Sequence, residues 1–287
     1  MKKTIAVIMS CHNRVNTTLE CLKDLYSQIL SDEIKIVTYL VDDGSTDGTG
    51  KVISEKYPEV IVLKGDGSLF WNRGMYMAFA EAIKKGADYY LWLNDDTNLY
   101  ENGLNVLLDT HKSVSESCAK PCIVIGSTAD PVTTEFTYGG YVKAKQFNPL
   151  SLKLNEPGEQ PIKCETFCGN CVLIPKNVVE RVGNMNYIYS HRWGDVDYGL
   201  RANKQGCESW VAPGYIATCE DNPNADVWQK QGLTLREKFK ELHSIKGIGK
   251  KDWFLFVKLH GGIIWPLIWI RPYIRIILSS LFNKYNN

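Results

Sequence analysis

The sequence predicts an α/β fold: a Rossmann-like, mixed but mostly parallel sheet with helices on both faces, followed by a helical C-terminal appendage. Three observations carry this prediction. Short β-rich runs alternate with helix-spaced apolar residues through the first hundred residues, which is the pattern of a parallel sheet covered on both faces. Clusters of Asp and Gly fall where the second and fourth of those runs end. After residue 222 the pattern becomes helical, then basic and apolar together.

Residues 4–10 are an uninterrupted apolar run, read as a buried strand. Residues 15–29 place Leu19, Leu22, Leu25 and Ile29 at helical spacing. Residues 34–41 form a second strand, and residues 49–57 a helix that Pro58 ends. A third strand covers 60–63. Residues 72–85 read as a helix with Met75, Ala78, Phe79, Ala82 and Ile83 on one face and Gly86 as its C-terminal cap. A fourth strand covers 89–93. In the second half, 122–126, 135–143 and 167–174 read as strands joined by Pro- and Gly-containing turns, and 195–205 as a helix closed by Gly206. The loops within 127–165 carry no legible pattern. There is no internal repeat and no low-complexity linker, so the division expected is one domain over 1–222 and a basic-apolar segment over 223–287.

The hydrophobic share of 44% and charged share of 23% are those of a globular protein without extensive disorder. A net charge of +1 argues against nucleic acid as a partner. That charge is unevenly spread. Residues 244–287 carry seven basic side chains and one acidic, about +6 against −5 for the rest. The opening MKKTIAVIMSCHNR has too short an apolar run, with the wrong end, for a signal peptide. Nine Cys then fit a reducing cytoplasm, most of them as small buried hydrophobes. Cys164, Cys168 and Cys171 lie in an apolar strand-like run and read as packing rather than zinc ligands. The five His are scattered and suggest no metal cluster.

In open parallel sheets, ligands gather at the carboxyl ends of the strands. Asp42-Asp43-Gly44-Ser45-Thr46-Asp47 follows the second strand and Asn94-Asp95-Asp96 the fourth. Either cluster alone is an ordinary turn. Two on the same sheet edge suit a hard cation with a phosphorylated ligand, since Mg²⁺ or Mn²⁺ takes one or two carboxylates and completes its shell with water and phosphate oxygens. A calcium loop starting at Asp43 fails, because Ser54 stands where a bidentate Glu is needed.

Cys11-His12-Asn13-Arg14, the VDDGSTD run, the 65–74 stretch, NDD and the later Trp193-Gly194-Asp195-Val196-Asp197-Tyr198-Gly199-Leu200-Arg201, in this order, resemble the family-2 glycosyltransferases over roughly residues 4–215. The variants are most similar to bacterial polysaccharide and rhamnosyl-type enzymes. The resemblance implies an A-type glycosyltransferase fold, with a nucleotide-binding half over about 1–100 and an acceptor half over 101–222. It implies that Asp42 bonds a uracil or thymine base, within a donor site that includes Asn13, Arg14 and Asp43. Gly65, Asp66, Trp71, Asn72 and Arg73 approach the nucleotide diphosphate. Asp96, supported by Asp95, holds Mg²⁺ or Mn²⁺, and Asp195 is the catalytic base. Gly169 and Asn170 lie near donor sugar and acceptor, with Trp193 and Asp197 beside them. Two departures stand out. Gly194 precedes Asp195 where relatives carry a second acid, and residues 214–222 contain no His to complete a metal site, leaving Cys219 or Glu220 as a substitute, or no third ligand.

The chemistry implied is inverting transfer. A cation neutralises the leaving nucleoside diphosphate, and a carboxylate on the opposite face takes the acceptor hydroxyl's proton. A sugar nucleotidyltransferase would need a Gly-rich, basic loop after the first strand, which Cys11-His12-Asn13-Arg14 is not. A non-catalytic membrane-bound scaffold would have no reason to keep Asp42, Asp96 and Asp195 together. In the tail, the longest stretch without a charged residue or His is 261–270, short of the ~20 residues that span a bilayer, and Pro266 and Pro272 are expected to break a helix there. Two readings of the tail stand: packing against the domain, or seating at an anionic membrane interface through Trp253, Trp265, Trp269, Tyr273 and the basic residues. The second is favoured. It makes the protein cytoplasmic and peripheral to the inner membrane face, with a glycan or lipid-linked acceptor.

Overall fold

The computed structural model describes residues 2–221, 227–230 and 232–282. The expected boundary at 222/223 lies outside them. At the centre of the main sheet, β1 (Lys3–Cys11) pairs in parallel with β2 (Ile34–Asp42) along its whole length, ending at Cys11 opposite Asp42. On the other side it pairs with β4 (Tyr89–Leu93), and β3 (Ile61–Lys64) extends β2, again in parallel. One edge therefore collects the carboxyl ends of all four strands. The sheet continues from β4 through β12 (Cys171–Pro175), β6 (Cys122–Ala129), β13 (Glu208–Thr218), which also pairs the short β5 (Asn98–Leu99), and β10 (Ile162–Cys164). Of these, β12 runs antiparallel to both its neighbours.

Alternation along β1 divides the core. Ile5, Val7 and Met9 face Leu22 and Leu25 of α1 (Val15–Tyr26), Ile53 of α2 (Thr49–Lys56) and Leu104 and Leu107 of α4 (Gly103–Ser117). Ala6 and Ile8 face Met75, Ala78 and Phe79 of α3 (Phe70–Lys85), Val178 and Val179 of α5 (Lys176–Val182), and Tyr198 of α6 (Gly194–Lys204). Burial on both faces explains why these strands read as continuous apolar runs.

Two expected strands divide. The 135–143 run becomes β7 (Phe136–Tyr138), paired with β6, and β8 (Gly140–Lys143), which joins a separate three-stranded sheet with β9 (Leu152–Asn155) and β11 (Thr166–Phe167). The chain changes sheets at Gly139, where a Cβ would lie 2.8 Å from Ser127 Oγ. The 167–174 run likewise splits into β11 and β12. That break frees Cys168, Gly169 and Asn170 from both ladders and brings them to the carboxyl edge beside β4, where Asn170 O accepts from Asn94 N (2.9 Å). The helix α4 and the long strand β13 were not anticipated.

The C-terminal part comprises α7 (Leu235–Leu242), α8 (Lys250–His260) and α9 (Trp265–Phe282). Thr234 and Glu237 form a reciprocal capping box at the start of α7. Contrary to expectation, α9 runs on through both prolines. Pro266 sits in its first turn, where the missing N–H has no intrahelical partner to lose. Near the interior Pro272 the Trp253 indole N–H donates to the Trp269 carbonyl (3.1 Å). The 19-residue stretch Gly262–Ser280 has the length and composition of a membrane-crossing helix, and 11% of it is buried. The inward sides of these helices form a third apolar cluster, with Trp253, Phe256, Val257, Ile268 and Ile276 packed on Tyr189, Trp193, Val196 and Leu200.

Candidate active site

The Asn13 and DGSTD loops interlock first. Asn13 Oδ1 accepts from Thr46 N (2.7 Å) and Asp47 N (3.3 Å), and Asn13 N donates to Ser45 Oγ (2.9 Å). Asp42, at the end of β2, accepts from Ser45 N and Gly50 N (both 3.1 Å). A Cβ at Gly50 would collide with Asp42 Oδ2. Asp43 is buried and accepts from Gly67 N (2.8 Å) and Phe70 N (2.9 Å), so it shapes the 65–70 loop rather than facing open space. Gly65 is required beside it, since a Cβ there would lie 2.5 Å from Asp43 Oδ1. Asp66 is engaged by Ser68 N (2.9 Å) and Oγ (2.7 Å).

The fourth strand delivers the charged centre. Arg14 Nη1 donates to Asp96 Oδ2 (2.6 Å) and Asp95 Oδ1 (3.2 Å). Burial, then the neighbouring Asp96 charge, push Asp95 up to about 7 against the opposing pull of Arg14. Asp96 is the open member, its side chain 35% exposed against 9% for Asp95. Cys219 Sγ lies 3.7 Å from Asp96 Oδ1 and receives Asn170 Nδ2 at 3.5 Å. Of the two candidates for a third ligand, Cys219 is thus the one beside Asp96. Burial first, then the Asp96 charge, push its thiol up to about 12; sulfur is also a soft ligand, poorly matched to a hard cation.

Across from this centre, the Trp71 indole N–H donates to Asn94 Oδ1 (2.7 Å) and its ring lies against Gly169, where a Cβ would approach it to 2.6 Å. On the far side of Gly169 is Asp195, at the start of α6. Its Oδ2 accepts from Gly169 N (2.9 Å) and its Oδ1 from Val196 N (2.8 Å). Burial raises the Asp195 pKa, while these amides pull the other way; a raised carboxylate is a better proton acceptor. Cys168 Sγ donates to Tyr141 Oη (3.0 Å) alongside.

Arg14, Trp71, Asp95, Asp96, Gly169, Asn170 and Asp195 therefore meet at one edge, with Asn13, Asp42, Asp43, Gly65 and Asp66 in the adjoining loops. Four expected site residues lie elsewhere. Asn72 is buried and donates to Asn186 O (2.9 Å) and Tyr189 O (2.8 Å). Its Oδ1 would collide with a Cβ at residue 194, which accounts for the glycine there. Arg73 turns to Tyr187, donating to its carbonyl (3.3 Å) with the guanidinium over its ring. Trp193 donates to Ile248 O (3.0 Å) and stacks on Phe256. Asp197 is wholly buried, bound to Arg201 Nε (2.7 Å), His260 Nε2 (2.8 Å) and Tyr189 Oη (3.2 Å). Among the described non-glycine residues, four have positive φ, and three of them, Asn13, Phe70 and Trp193, begin the loops and helices around this edge. Such strain gathers where backbone placement serves a site.

The model of the family described as glycosyl transferase family 2 matches residues 6–183. The chain belongs to this family. Glycosyl transferase family 2 membership makes it a glycosyltransferase. It is 23% identical over 210 residues, 66% of this chain and 68% of the relative, to an N-acetylglucosaminyl-diphospho-decaprenol L-rhamnosyltransferase of Mycobacterium tuberculosis. Among solved structures, S. aureus TarS 1–349 in complex with UDP-GlcNAc superposes with a TM-score of 0.59 at 11% identity, covering 92% of this chain and 68% of that one. A mannosyltransferase from Pyrobaculum calidifontis, in complex with GDP-Man and Mn²⁺, gives 0.55 at 11% identity, covering 99% and 85%. The A-type glycosyltransferase fold is thus shared by this family-2 chain.

The residues at this edge that sequence reasoning did not single out are Thr18, Asn94 and Tyr141. Asn94 belongs to the NDD run, so the signal was present. Thr18 Oγ1 reaches Asp95 Oδ2 (3.4 Å) from one turn into α1, and Tyr141 comes from a segment with no local motif.

Proposed function

We propose that the protein is an inverting glycosyltransferase moving a sugar from a UDP- or dTDP-sugar to a hydroxyl of a lipid-linked glycan at the inner face of the membrane, in cell-surface polysaccharide synthesis. The observation that carries this is the placement of Asp195. It stands across Gly169 and Trp71 from the Arg14–Asp95–Asp96 centre, so that one carboxylate serves the acceptor and another group of charges the leaving diphosphate. Asp42, at the floor of the Asn13–DGSTD loops, retains lone pairs beyond its two amide bonds and suits the imide N–H of uracil or thymine. Arg14, at the Asp95–Asp96 pair, supplies a cation at this edge for the diphosphate.

Mg²⁺ or Mn²⁺ fits in a limited way. Among the described residues no group of three or more His, Cys, Asp or Glu is placed to hold a metal. Asp96 offers one open carboxylate, sufficient for a cation that takes its remaining oxygens from the donor diphosphate and water. Such a cation would supply charge neutralisation of the leaving group. Asp195 then accepts the acceptor's proton, and Trp71 and Gly169 line the space between.

The relative's lipid-linked acceptor and the tail's chemistry support the membrane assignment. Ile263, Leu267, Ile274, Ile277 and Leu278 of the α9 region point outward, Ile263 96% exposed, on a segment with Arg271 and Arg275. The full chain mixed with anionic liposomes carrying a polyprenyl-diphosphate sugar is expected to sediment with them and to release UDP or dTDP only when that acceptor is present. High salt is expected to free the protein, and GDP-sugars to be poor donors. Acceptor-independent release would count against the transfer reading, equal use of GDP-sugars against Asp42, and failure to sediment against the membrane.

A further inference from the structure

The base's helix is held from two sides, and the second has no part in the reaction as described. On the catalytic side, Gly194 presses against Asn72, and Thr166 Oγ1 donates to Val196 O (2.8 Å). On the other side lies the C-terminal helix α8. There Asp252 Oδ2 accepts from Ser190 N (2.9 Å), and the Trp193 indole donates to Ile248 O while its ring stacks on Phe256 at 4.8 Å. His260 Nε2 meets Asp197 Oδ1 at 2.8 Å, and Lys204 Nζ donates to Leu259 O (2.8 Å). These ties bracket Asp195: two precede it in sequence and two follow it.

The His260–Asp197 contact is buried and directional. Lys204 Nζ also lies 3.2 Å from His260 Nδ1. An ammonium only donates, so Nδ1 accepts and the ring hydrogen sits on Nε2, aimed at Asp197. Asp197 in turn gathers Arg201 and the Tyr189 hydroxyl, and Arg201 reaches on to Val182 O (3.1 Å) and Asn184 O (3.0 Å). Asp197 lies one half-turn beyond Asp195 on the same short helix, so fixing one carboxylate fixes the start from which the other projects.

We propose that α8 is a positioning element for the catalytic base, acting centrally through His260 on Asp197 and, in parallel, through Phe256 on Trp193. The inference rests on the reading of Asp195 as the base. It makes the C-terminal segment part of the catalytic arrangement rather than an anchor alone.

The test measures transfer by the full chain, with rates normalised to donor-binding sites counted by nucleotide titration. His260→Ala is expected to lower kcat by about tenfold or more, with donor KM within about twofold of the parent. His260→Gln, whose side-chain amide can donate to Asp197, is expected to recover most of that loss. A merely structural role would change the fraction of folded sites and leave the normalised kcat untouched; that result overturns the proposal, as does a loss confined to donor KM. Should His260→Ala fail to fold, Lys204→Met, at the solvent edge, carries the same expectation at about two- to fivefold, and an unchanged kcat there overturns it. Asp195→Asn is assayed alongside. If it stays active, the base assignment has failed; if it is inactive while His260→Ala is unimpaired, only the positioning claim has.

Discussion

Asp195→Asn is expected to reduce sugar transfer by about 10²-fold or more while donor affinity stays nearly unchanged. Asparagine preserves the shape of the side chain, and its carbonyl oxygen can still accept from Gly169 N, now 2.9 Å from Asp195 Oδ2. What it loses is the ability to take a proton, together with the acceptor for Val196 N, which lies 2.8 Å from Asp195 Oδ1. The parent enzyme should also show a sign in its pH profile. Burial raises the Asp195 pKa above that of a free carboxylate, so the base is ionised above its raised pKa and kcat falls as pH drops through it. The Asn variant is expected to lose that acid limb. Initial rates across pH, with donor binding measured by titration, check both statements. Near-parental turnover in the variant would move the base elsewhere. Asp197 is then a poor substitute, because its carboxylate is enclosed by Arg201, His260 and Tyr189.

Chelation is expected to abolish transfer, and Mn²⁺ or Mg²⁺ to restore it. Asp96→Ala should cost about 10²-fold or more with saturating metal, since several kcal/mol of charge stabilisation are at stake. The reason lies in the exposure of the three charged groups. Asp95 is sunk behind Asp96 and engaged by Arg14 and Thr18, which leaves Asp96 as the carboxylate open to a cation and a diphosphate. Arg14 bridges the pair through Asp96 Oδ2, so a cation that takes that oxygen would displace its guanidinium. Rates in EDTA, with metal added back, decide the matter. Full activity in EDTA would mean that Arg14 alone neutralises the leaving group, and the missing late His would then have its explanation.

Much of the fold was legible because β1, β4 and the second half of β2 are buried on both faces and therefore read as apolar runs bounded by turn residues. The runs at 135–143 and 167–174 misled because strand-forming residues on either side of Gly139-Gly140 and of Gly169-Asn170 read as one strand. Such a pattern does not reveal that a chain leaves one sheet for another, and here the changes occur at Gly139 and at Cys168-Gly169-Asn170. The helix α4 carried a usable signal in Leu104, Leu107 and Val114, all buried on one face. In the site, Asp95, Asp96 and Asp195 were readable as acids at strand and helix ends. What motif order could not reveal was side-chain direction. Asn72 and Arg73 follow Trp71 immediately, yet on a helix three consecutive side chains point three ways, and only Trp71 reaches Asn94. Asp197 is two residues from Asp195 and so faces the opposite side, where a residue 63 positions later closes on it. In the tail, α8 turns Trp253, Phe256 and Val257 inward, while Ile263, just before α9, and Leu267 within it stay exposed.

The most direct measurement is the anomeric configuration of the product. With a UDP- or dTDP-sugar of known configuration and a polyprenyl-diphosphate sugar as acceptor, NMR of the isolated product reports the new glycosidic bond. Direct displacement, with Asp195 activating the acceptor on the face opposite the diphosphate, predicts a single inverted anomer and stoichiometric release of nucleoside diphosphate. A product with the donor's configuration retained, or nucleoside diphosphate released without a new glycosidic bond, would contradict the account.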